Sequence, residues 1–303
     1  MSDLSLRRVA YFVAVAEELS FGRAAERLHV TQPVLSRQIA LLERELGVPL
    51  FERSSRGTAL SDAGRELLSD AEAMLQSALA FQRRGRQAAR GAQRLVVGFM
   101  PGLLATPILQ GLRAAYPDLE VSTVRTSWDD QVETILDGRV DLGLVRLPVP
   151  SRGLMIRPLF VERRLAILPR SHPLAEQPAI DIDALAELEL LQSPDAVPEW
   201  RDARRRRGLV VSTEARYPHD VEVKLEQVAL GLGVAFLPAS TAAFYTRPDV
   251  LAREVDGLAP SEVGMAWAAH RRAETLMRAI ELAHALRTSL TTERVLDETT
   301  RPR

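Results

Sequence analysis

The chain has 303 residues, of which 46% are hydrophobic and 26% are charged, and its formal net charge is −1. This composition is that of a folded globular protein, and the length favours about two domains. Because the sequence contains no cysteine, disulfides, thiolate metal sites and a cysteine nucleophile are excluded. The near-zero charge argues against a nonspecific polycation, although DNA binding requires only a local basic face.

Other function classes lack their sequence signals. No apolar run approaches the roughly 20 residues of a membrane span, and the opening MSDLSLRRVAYF lacks the order of a signal peptide. The five histidines are scattered without metal-binding spacing, and no Walker loop, GxSxG or paired-carboxylate motif is present. We therefore expect a cytoplasmic protein with no metal, no cofactor, no membrane contact and no enzymatic activity.

Three helices are predicted in the first fifty residues. Four apolar residues at helical spacing predict the first, namely Leu6, Val9, Ala10 and Val13. Ser20 is the expected N-cap of the second helix and Thr31 that of the third. The third helix carries an apolar stripe, expected to be buried, of Leu35, Ile39, Leu42 and Leu46, and Gly47 is expected to end it.

The opposite face of the third helix is polar at its N-terminal end. It carries Thr31, Gln32, Pro33, Ser36 and Arg37. Two short helices joined by about three residues, the second with a buried back and a polar front, describe a helix-turn-helix. Gln and Arg can form bidentate contacts with base edges, and a helix N-terminus favours phosphate. From spacing alone, a surface helix with a solvated face is an equal alternative.

A hairpin is predicted directly after this helix. In VPLFERSSRGTALSDAG, Arg53 and Arg56 stand around a Ser-Ser-Arg-Gly turn, and Thr-Ala-Leu can return as a strand. Such a wing would bring arginine close to phosphates or into a minor groove.

The segment FVAVAEELSFGRAAERLHVTQPVLSRQIALLERELGVPLFERSSRGTALSDAGRELL resembles the winged helix-turn-helix of LysR-type transcriptional regulators. The Ala-Ala pair, TQPVLSRQI, LERELG, LFER and LSDAG occur in the family's order. The resemblance implies binding to double-stranded promoter DNA through Thr31, Gln32, Pro33, Ser36 and Arg37 of the recognition helix and Arg53 and Arg56 of the wing. Arg23 stands where the family often has Ser or Thr near the DNA backbone.

A long helix is predicted from Ser61 to about Gly91. Its small and apolar residues step by three and four: Gly64, Leu67, Ala71, Met74, Ala78 and Phe81. This heptad spacing predicts a dimer seam, and two recognition helices one DNA turn apart require a dimer. A single helix packed on its own domain is the alternative. The resemblance implies a dimerisation helix and a tetramer of two dimers.

Strands and helices alternate from Leu95 onward, which predicts a doubly wound parallel sheet. RLVVGFM, LEVSTVRT and DLGLVRL are the first predicted strands, and helices lie between them. RRLAILP begins a second series, which continues through ELELLQS and VEVKLEQVALGLGVAFLP. Two such lobes resemble the periplasmic-binding-protein-like effector domain of LysR-type regulators.

In such folds ligands bind between the lobes, at carboxyl ends of strands and at helix N-termini. The candidates are Met100, Pro101, Gly102, Leu103, Ser127, Trp128, Arg146, Pro198, Trp200 and His219. The first four are expected to open a helix whose free N–H groups bind a carboxylate. For Trp128 and Trp200 packing is an equal alternative, and for Arg146 a structural ion pair is favoured over ligand contact.

Three further segments, DGRVDLGLVR, VPEW and VALGLGVAFLPAS, resemble the LysR subgroup that responds to aromatic acids and muconate-type diacids. That subgroup has Ser in place of Gly102 and Thr in place of Trp128. Both differences remove hydroxyl donors, so the resemblance implies a small organic effector, with carboxylates as one candidate class, and no particular compound.

The predicted fold class is α/β overall. An N-terminal all-α winged helix-turn-helix is expected at residues 4–61, a linker or dimerisation helix at 62–91, and a two-lobed effector domain at 94–303. Lobe I is expected at about 94–162 and 265–292 and lobe II at about 163–264, with crossovers near 161–164 and 263–265.

The predicted function is that of a sequence-specific transcriptional regulator whose activity a small effector modulates. Its expected partners are promoter DNA, further copies of itself in a homodimer or homotetramer, and RNA polymerase. Two alternatives stay open at this point. One is a solute-binding protein or two-lobed enzyme with an incidental N-terminal segment, and the other is a regulator whose cleft binds nothing.

Overall fold

The computed structural model describes residues 4–54, 57–88, 94–211, 217 and 220–287. The chain divides into two units, Met1–Arg86 with Leu136–Gly138, and Gln87–Ile135 with Arg139–Arg303. Each unit has its own hydrophobic core. Among the described residues, no helix has both the length and the apolar character needed to span a bilayer.

The first unit consists of helices and one hairpin. Its elements are α1 (Leu6–Glu18), α2 (Phe21–Arg27), α3 (Gln32–Leu46), β1 (Phe51–Ser54), β2 (Gly57–Leu60) and α4 (Asp62–Ala88). β1 and β2 are antiparallel, with Phe51 opposite Leu60. The predicted order of three helices, wing and long helix is therefore confirmed.

Aromatic packing joins the wing to the helices. Phe51 lies edge-on to Phe12 and to Phe21, with ring centroids 5.6 Å apart in both pairs. Such pairs contribute about 0.5–1.5 kcal/mol beyond the burial of their area. The base of the wing is thus part of the core.

The predicted helix boundaries hold better than the predicted buried residues. Ser20 accepts the N–H of Arg23 at 3.4 Å, and Ser61 accepts the N–H of Gly64 at 2.9 Å. Thr31 has extended N-cap geometry, but its side chain accepts no hydrogen bond from α3, which corrects its expected capping role. Leu46, the last residue of α3, is 40% exposed, so the buried stripe ends at Leu42.

Lobe I of the second unit is a five-stranded sheet. Its strands are β3 (Arg94–Phe99), β4 (Glu120–Arg125), β5 (Leu142–Leu147), β6 (Leu154–Glu162) and, later in the chain, β11 (Ser261–Ala268). They lie in the order β4-β3-β5-β11-β6. The helices are α5 (Thr106–Ala115), α6 (Glu133–Leu136) and α10 (Glu274–Ala285), and residues of α5 and α10 share one core with the sheet.

Lobe II is a four-stranded sheet covered on both faces. It contains β7 (Arg164–Pro169), β8 (Ala179–Asp181), β9 (Ala235–Pro238) and β10 (Val250–Asp256), in the order β8-β10-β7-β9, with α7 (Pro198–Arg206), α8 (Val221–Ala229) and α9 (Ala239–Phe244). Along β7, Ala166 and Leu168 pack in the core that contains α7 residues, while Leu165 and Ile167 pack in the core that contains α8 residues. This alternation is the period of two expected of a strand.

The sheets are mixed, which corrects the prediction of parallel sheets. β3 is parallel to β4 and β5, but β11 is antiparallel to β5 and β6. In lobe II, β7 is antiparallel to β9 and β10, and only β8 and β10 are parallel. The crossovers between the lobes explain the antiparallel pairs. β6 ends where the chain leaves lobe I and β11 begins where the chain returns to it, so these neighbouring strands run in opposite directions. β7 and β10 are related in the same way in lobe II.

One of the two predicted crossovers is misplaced. The first lies between Glu162 and Arg164, as expected, but the second lies at residues 257–260 because β11 begins at Ser261. Gly257, with φ of +84°, and the proline at 260 explain why the chain turns before the expected position.

Two segments also differ from their predicted structure. ELELLQS forms no strand beyond an isolated bridge between Leu190 and Val234, because the chain turns into a 3-10 helix at Pro194–Ala196. α5 begins at Thr106, with Pro107 in its first turn, so the residues from Met100 to Leu103 do not open a helix.

Two glycines of α4 provide a test of the packing in the first unit. A Cβ on Gly64 would lie 2.1 Å from the carbonyl oxygen of Leu50, whereas a Cβ on Gly85 would have no neighbour within 4 Å. We expect Gly64→Ala to destabilise the protein by about 1–3 kcal/mol through overpacking. Gly85→Ala is the matched control and should be neutral or stabilising by up to about 1 kcal/mol, because alanine favours a helix. Urea unfolding followed by circular dichroism measures both, and equal effects would contradict the close approach.

Candidate nucleic-acid interface and effector cleft

α3 is held against α1 by apolar and polar contacts. Leu35 and Ile39 on its inner face are fully buried in the core of the first unit. From α1, Nε of Arg8 donates to Oε1 of Gln38 at 3.2 Å, and the same guanidinium forms an ion pair with Glu45. These contacts fix the rotation of α3 about its axis.

The outer face of α3 brings the predicted DNA contacts together. Thr31, Gln32, Pro33 and Arg37 are exposed, and Ser36 is half-buried. Val34, which sequence reasoning missed, is 46% exposed and stands three residues after Thr31 and three before Arg37. Residues three apart share a helix face, so this spacing was the signal that would have found it.

The base of the wing is tied to α3. The carboxylate of Glu43 accepts the N–H groups of Leu50 and Phe51 at 2.8 and 3.3 Å. Arg53 lies on β1 opposite Thr58, but its side chain and the whole of Arg56 lie outside the described residues. The structure therefore places the strand of the wing and leaves both predicted arginine contacts as predictions.

Arg23 is exposed and takes part in a network of charges. Its Nε lies 3.2 Å from a carboxylate oxygen of Glu18, and its guanidinium also donates to the carbonyl of Glu18. Hydrogen bonds from Arg23 and then Arg27 lower the pKa of the Glu18 carboxyl. Arg23 can face a phosphate only while sharing its charge with Glu18.

The predicted dimer seam of α4 divides into two parts. Leu67 and Ala71 pack against the core of their own unit, as the single-helix alternative expected. Met74 and Phe81 are exposed, Phe81 at 73%, and Ala78 is half-buried. Among the described residues, the exposed part of the stripe is therefore its later part, at Met74 and Phe81.

A cavity of about 260 Å³ lies between lobes I and II. Five of the predicted effector residues line it: Met100, Pro101, Ser127, Trp128 and Arg146. These lie at or just beyond the ends of β3, β4 and β5, where ligands of such folds bind. A larger groove of about 790 Å³ is confined to lobe II, so its ligand would not contact both lobes.

Other predicted effector residues do not reach this cavity. Trp200 is buried in the core of lobe II, where its Nε1 donates to the carbonyl of Leu185 at 3.0 Å, and its predicted role is therefore wrong. Pro198, which begins α7, does not line the cavity, and Leu103 belongs to the core of lobe I. His219 lies outside the described residues.

Gly102 serves the contact between the lobes. Its φ is +83°, and a Cβ there would lie 2.5 Å from the backbone nitrogen of Thr241 on α9. Its predicted place in a helix N-terminus that binds carboxylate is thus corrected, because the loop packs backbone to backbone against lobe II.

Arg146 is the centre of a buried network. Its Nη1 lies 2.5 Å from Oε1 of Glu162, and its Nη2 donates to the hydroxyls of Ser240 and Thr241, each at 3.0 Å, and to the carbonyl of Pro101 at 3.2 Å. Burial lowers the pKa of Arg146, and the Glu162 carboxylate opposes that shift. The structural ion pair that the sequence favoured is therefore present.

Two cations of the cavity lining, Arg125 and Lys224, were missed by sequence reasoning. Arg125 at the end of β4 lies 3.7 Å from Asp220 and 3.6 Å from Glu222, at the start of α8. Lys224, on the next turn of α8, is buried, and burial lowers its pKa to about 8. The sequence signal for Lys224 was its position on an apolar helix face. The only lysine of the chain follows Val221 by three residues and directly precedes Leu225, and both of these residues are buried in the core.

The network around Arg146 makes a stability prediction. Arg146→Ala leaves the Glu162 carboxylate buried without its counter-ion, which should lower the free energy of unfolding by about 3–5 kcal/mol. Arg278→Ala removes an exposed ion pair with Glu281 and should cost at most about 1 kcal/mol. Tryptophan fluorescence during urea unfolding reports both, because all three tryptophans lie in the second unit. Similar losses for the two variants would contradict the prediction.

Two family models match the chain. Residues 6–65 match the model described as "Bacterial regulatory helix-turn-helix protein, lysR family", and residues 88–286 match "LysR substrate binding domain". The "Hca operon transcriptional activator HcaR" of Escherichia coli (strain K12) is 34% identical over 276 residues, which are 87% of this chain and 92% of that protein.

Solved structures agree with these matches. The LysR family transcriptional regulator CbnR is 28% identical, with a TM-score of 0.58 over 95% of this chain and 100% of its own. Full-length CbnR in complex with its target DNA is 29% identical, with a TM-score of 0.52 over 94% and 100%. Full-length BenM is 26% identical, with a TM-score of 0.51 over 96% and 99%. The chain therefore belongs to the LysR family of transcriptional regulators, as its N-terminal motifs predicted.

Proposed function

We propose that this regulator reads promoter DNA with the outer face of α3 and the β1–β2 wing, under the control of a small organic effector in the interlobe cavity. The observation that carries the proposal is the division of α3 into a fully buried back and an exposed front. A helix anchored in this way can enter a major groove without losing its own packing.

The exposed side chains match the chemistry of base edges. Gln32 can donate to N7 of adenine while accepting from its N6 amino group, and Arg37 can donate to both O6 and N7 of guanine. Val34 adds an apolar surface for a thymine methyl group. Arg53 and Arg56 would contact phosphates or the minor groove from the wing, and Arg23 would approach the backbone from α2.

The exposed part of α4 supports self-association. The stripe has the spacing of four and three residues that a coiled-coil seam requires, at Met74, Ala78 and Phe81. The large exposed fraction of the Phe81 side chain is consistent with a contact to a second copy of the chain. A homodimer through this stripe, or a tetramer of two such dimers, would present two recognition helices to two half-sites.

The remaining partners follow from this assignment. The proposed effector is a small organic compound, with carboxylates as a candidate class, because DGRVDLGLVR, VPEW and VALGLGVAFLPAS resemble the subgroup that responds to aromatic acids and muconate-type diacids. Gly102 and Trp128 depart from that subgroup, so the compound itself is left open. RNA polymerase is the proposed partner at the promoter, and the cytoplasm is the proposed compartment because bacterial promoter DNA lies there.

A gel-shift experiment tests DNA reading directly. The folded full-length protein should retard a duplex from its own upstream region at low salt, and far less of an unrelated duplex. Failure to bind any promoter-derived duplex would overturn the proposal.

Two arginines should differ in how they bind. We expect Arg37→Ala to weaken binding to the specific duplex by about 1–3 kcal/mol and to relax sequence preference. Arg53→Ala should weaken all duplexes similarly and lower the salt slope by about 1. Arg113→Ala, which removes an exposed arginine of α5 in the other unit, is the charge-matched control and should leave both quantities unchanged. Identical behaviour of the first two variants would contradict the assigned roles.

The α4 stripe makes a separate prediction. Phe81→Glu places a charge in the proposed seam and should shift the protein toward monomer in sedimentation at low micromolar concentration. Gln82→Glu adds the same charge at the exposed neighbouring position and should leave the association state unchanged. An unaltered association state in Phe81→Glu would remove α4 from the interface.

A further inference from the structure

Lys224 is a buried cation that no described residue neutralises. It is the only lysine in the chain, its exposure is 7%, and its side chain lines the cavity between the lobes. Among the described residues it forms no ion pair, and burial alone lowers its pKa. An ammonium group in such a place is stable only if it loses its proton or gains a counter-ion.

The acidic residue about one helical turn before Lys224 is already engaged. Asp220 stands four residues before Lys224, a spacing that often allows an ion pair. Its Oδ1 instead accepts the N–H groups of Glu222 and Val223 at 2.9 and 3.3 Å, and its Oδ2 lies 3.7 Å from Arg125. The N-cap of α8 and the guanidinium of lobe I therefore take up this carboxylate, and Lys224 is left without it.

The other charges that line the cavity do not substitute. Arg125 and Arg146 are cations, and Arg146 is neutralised by Glu162. Asp129 is the remaining carboxylate of the lining, and among the described residues it forms no ion pair with Lys224. Glu222 pairs with Arg125 and is exposed.

We propose that the ammonium group of Lys224 is the counter-ion for a carboxylate of the effector inside the interlobe cavity. This inference rests on the proposed function, namely that the cavity receives a small organic effector. A volume of about 260 Å³ holds on the order of nine waters at roughly 30 Å³ each, which suits a monocyclic or short-chain acid. Trp128, which is 47% exposed, supplies an apolar wall beside the charged group.

The proposal fixes the sign of a pH effect. An anion favours the protonated form of Lys224, so its affinity should fall as the pH rises through the free-state pKa of about 8. The other charged groups that line the cavity are Arg125, Asp129, Arg146 and Asp220. A neutral amide of the same shape should show no such dependence.

Because the chain has one lysine, its side chain can be observed without assignment. Full-length protein labelled with ¹³C-lysine gives one side-chain Cε signal, whose shift is followed against pH alone and with millimolar acetate, succinate or benzoate. The corresponding amides are the matched ligands. At least one carboxylate should raise the pKa of Lys224 by about one unit or more, which corresponds to about tenfold tighter binding to the protonated form.

Lys224→Met completes the test. It should lose about tenfold or more in affinity for that carboxylate, measured by fluorescence of the cavity tryptophan, while its operator binding in a gel shift stays unchanged. The proposal is overturned if no carboxylate of the panel moves the pKa of Lys224, or if the acid binds Lys224→Met as tightly as it binds the parent protein. Loss of operator binding by the parent protein would instead count against the proposed function itself.

Discussion

The relation between the two lobes depends on the buried ion pair of Arg146 and Glu162. Arg146 stands near the end of β5, and Glu162 is the last residue of β6 before the chain crosses into lobe II. Ser240, from lobe II, donates its N–H to Oε2 of Glu162 at 2.7 Å, and its hydroxyl donates to Oε1 at 3.0 Å. A buried ion pair is stable only while all of its hydrogen bonds are made. Any change in the angle between the lobes must therefore preserve this network or exchange its members together.

The two sides of the cavity consequently differ in how strongly their contacts hold the lobes together. On the Arg146 side, the loop at Gly102 adds to the network, because its backbone packs directly on the backbone of Thr241. No flexible side chain lies between the two backbones at that point. On the other side, Arg125 meets Asp220 and Glu222 through exposed ion pairs, which contribute little to stability. A ligand between the lobes can therefore change the distance between them on the Arg125 side at a far lower free-energy cost than on the Arg146 side. Effector binding can in this way be converted into a small rotation of one lobe against the other.

The sequence predicted the local structure well where one residue decides it. Gly47 ends α3 with φ of +74°, and Ser61 caps α4 through its own hydroxyl. Strand direction and crossover position were predicted poorly, because they depend on which lobe a strand leaves and not on its own composition. The predicted start of α5 was too early for a similar reason. Residues 102–105, GLLA, have the composition of a helix, but the contact of Gly102 with lobe II requires a turn there.

Side chains in the cavity were harder to predict than those on α3. The DNA-facing side of α3 follows from helical periodicity alone, so even the overlooked Val34 lay at a predictable position. The prediction for Trp200 was wrong because an aromatic residue near a proline is equally compatible with a ligand-binding wall and with a core. The hydrogen bond from its Nε1 to the carbonyl of Leu185 shows that Trp200 belongs to the core. Contacts between residues far apart in the chain carry no periodic signal.

The two buried cations of the cavity show why burial and charge must be considered with their partners. Arg146 ends a strand and was the obvious candidate for a ligand cation, yet its hydrogen bonds to Glu162, Ser240 and Thr241 already occupy its guanidinium. Lys224 occupies a position that helical periodicity assigns to an apolar residue, and the nearby Asp220 is committed elsewhere. Replacing a satisfied cation would damage the fold, whereas an unsatisfied one stores a free-energy cost that an arriving anion removes. The proposed response to an acid therefore depends on the cation that the described part of the fold leaves unneutralised.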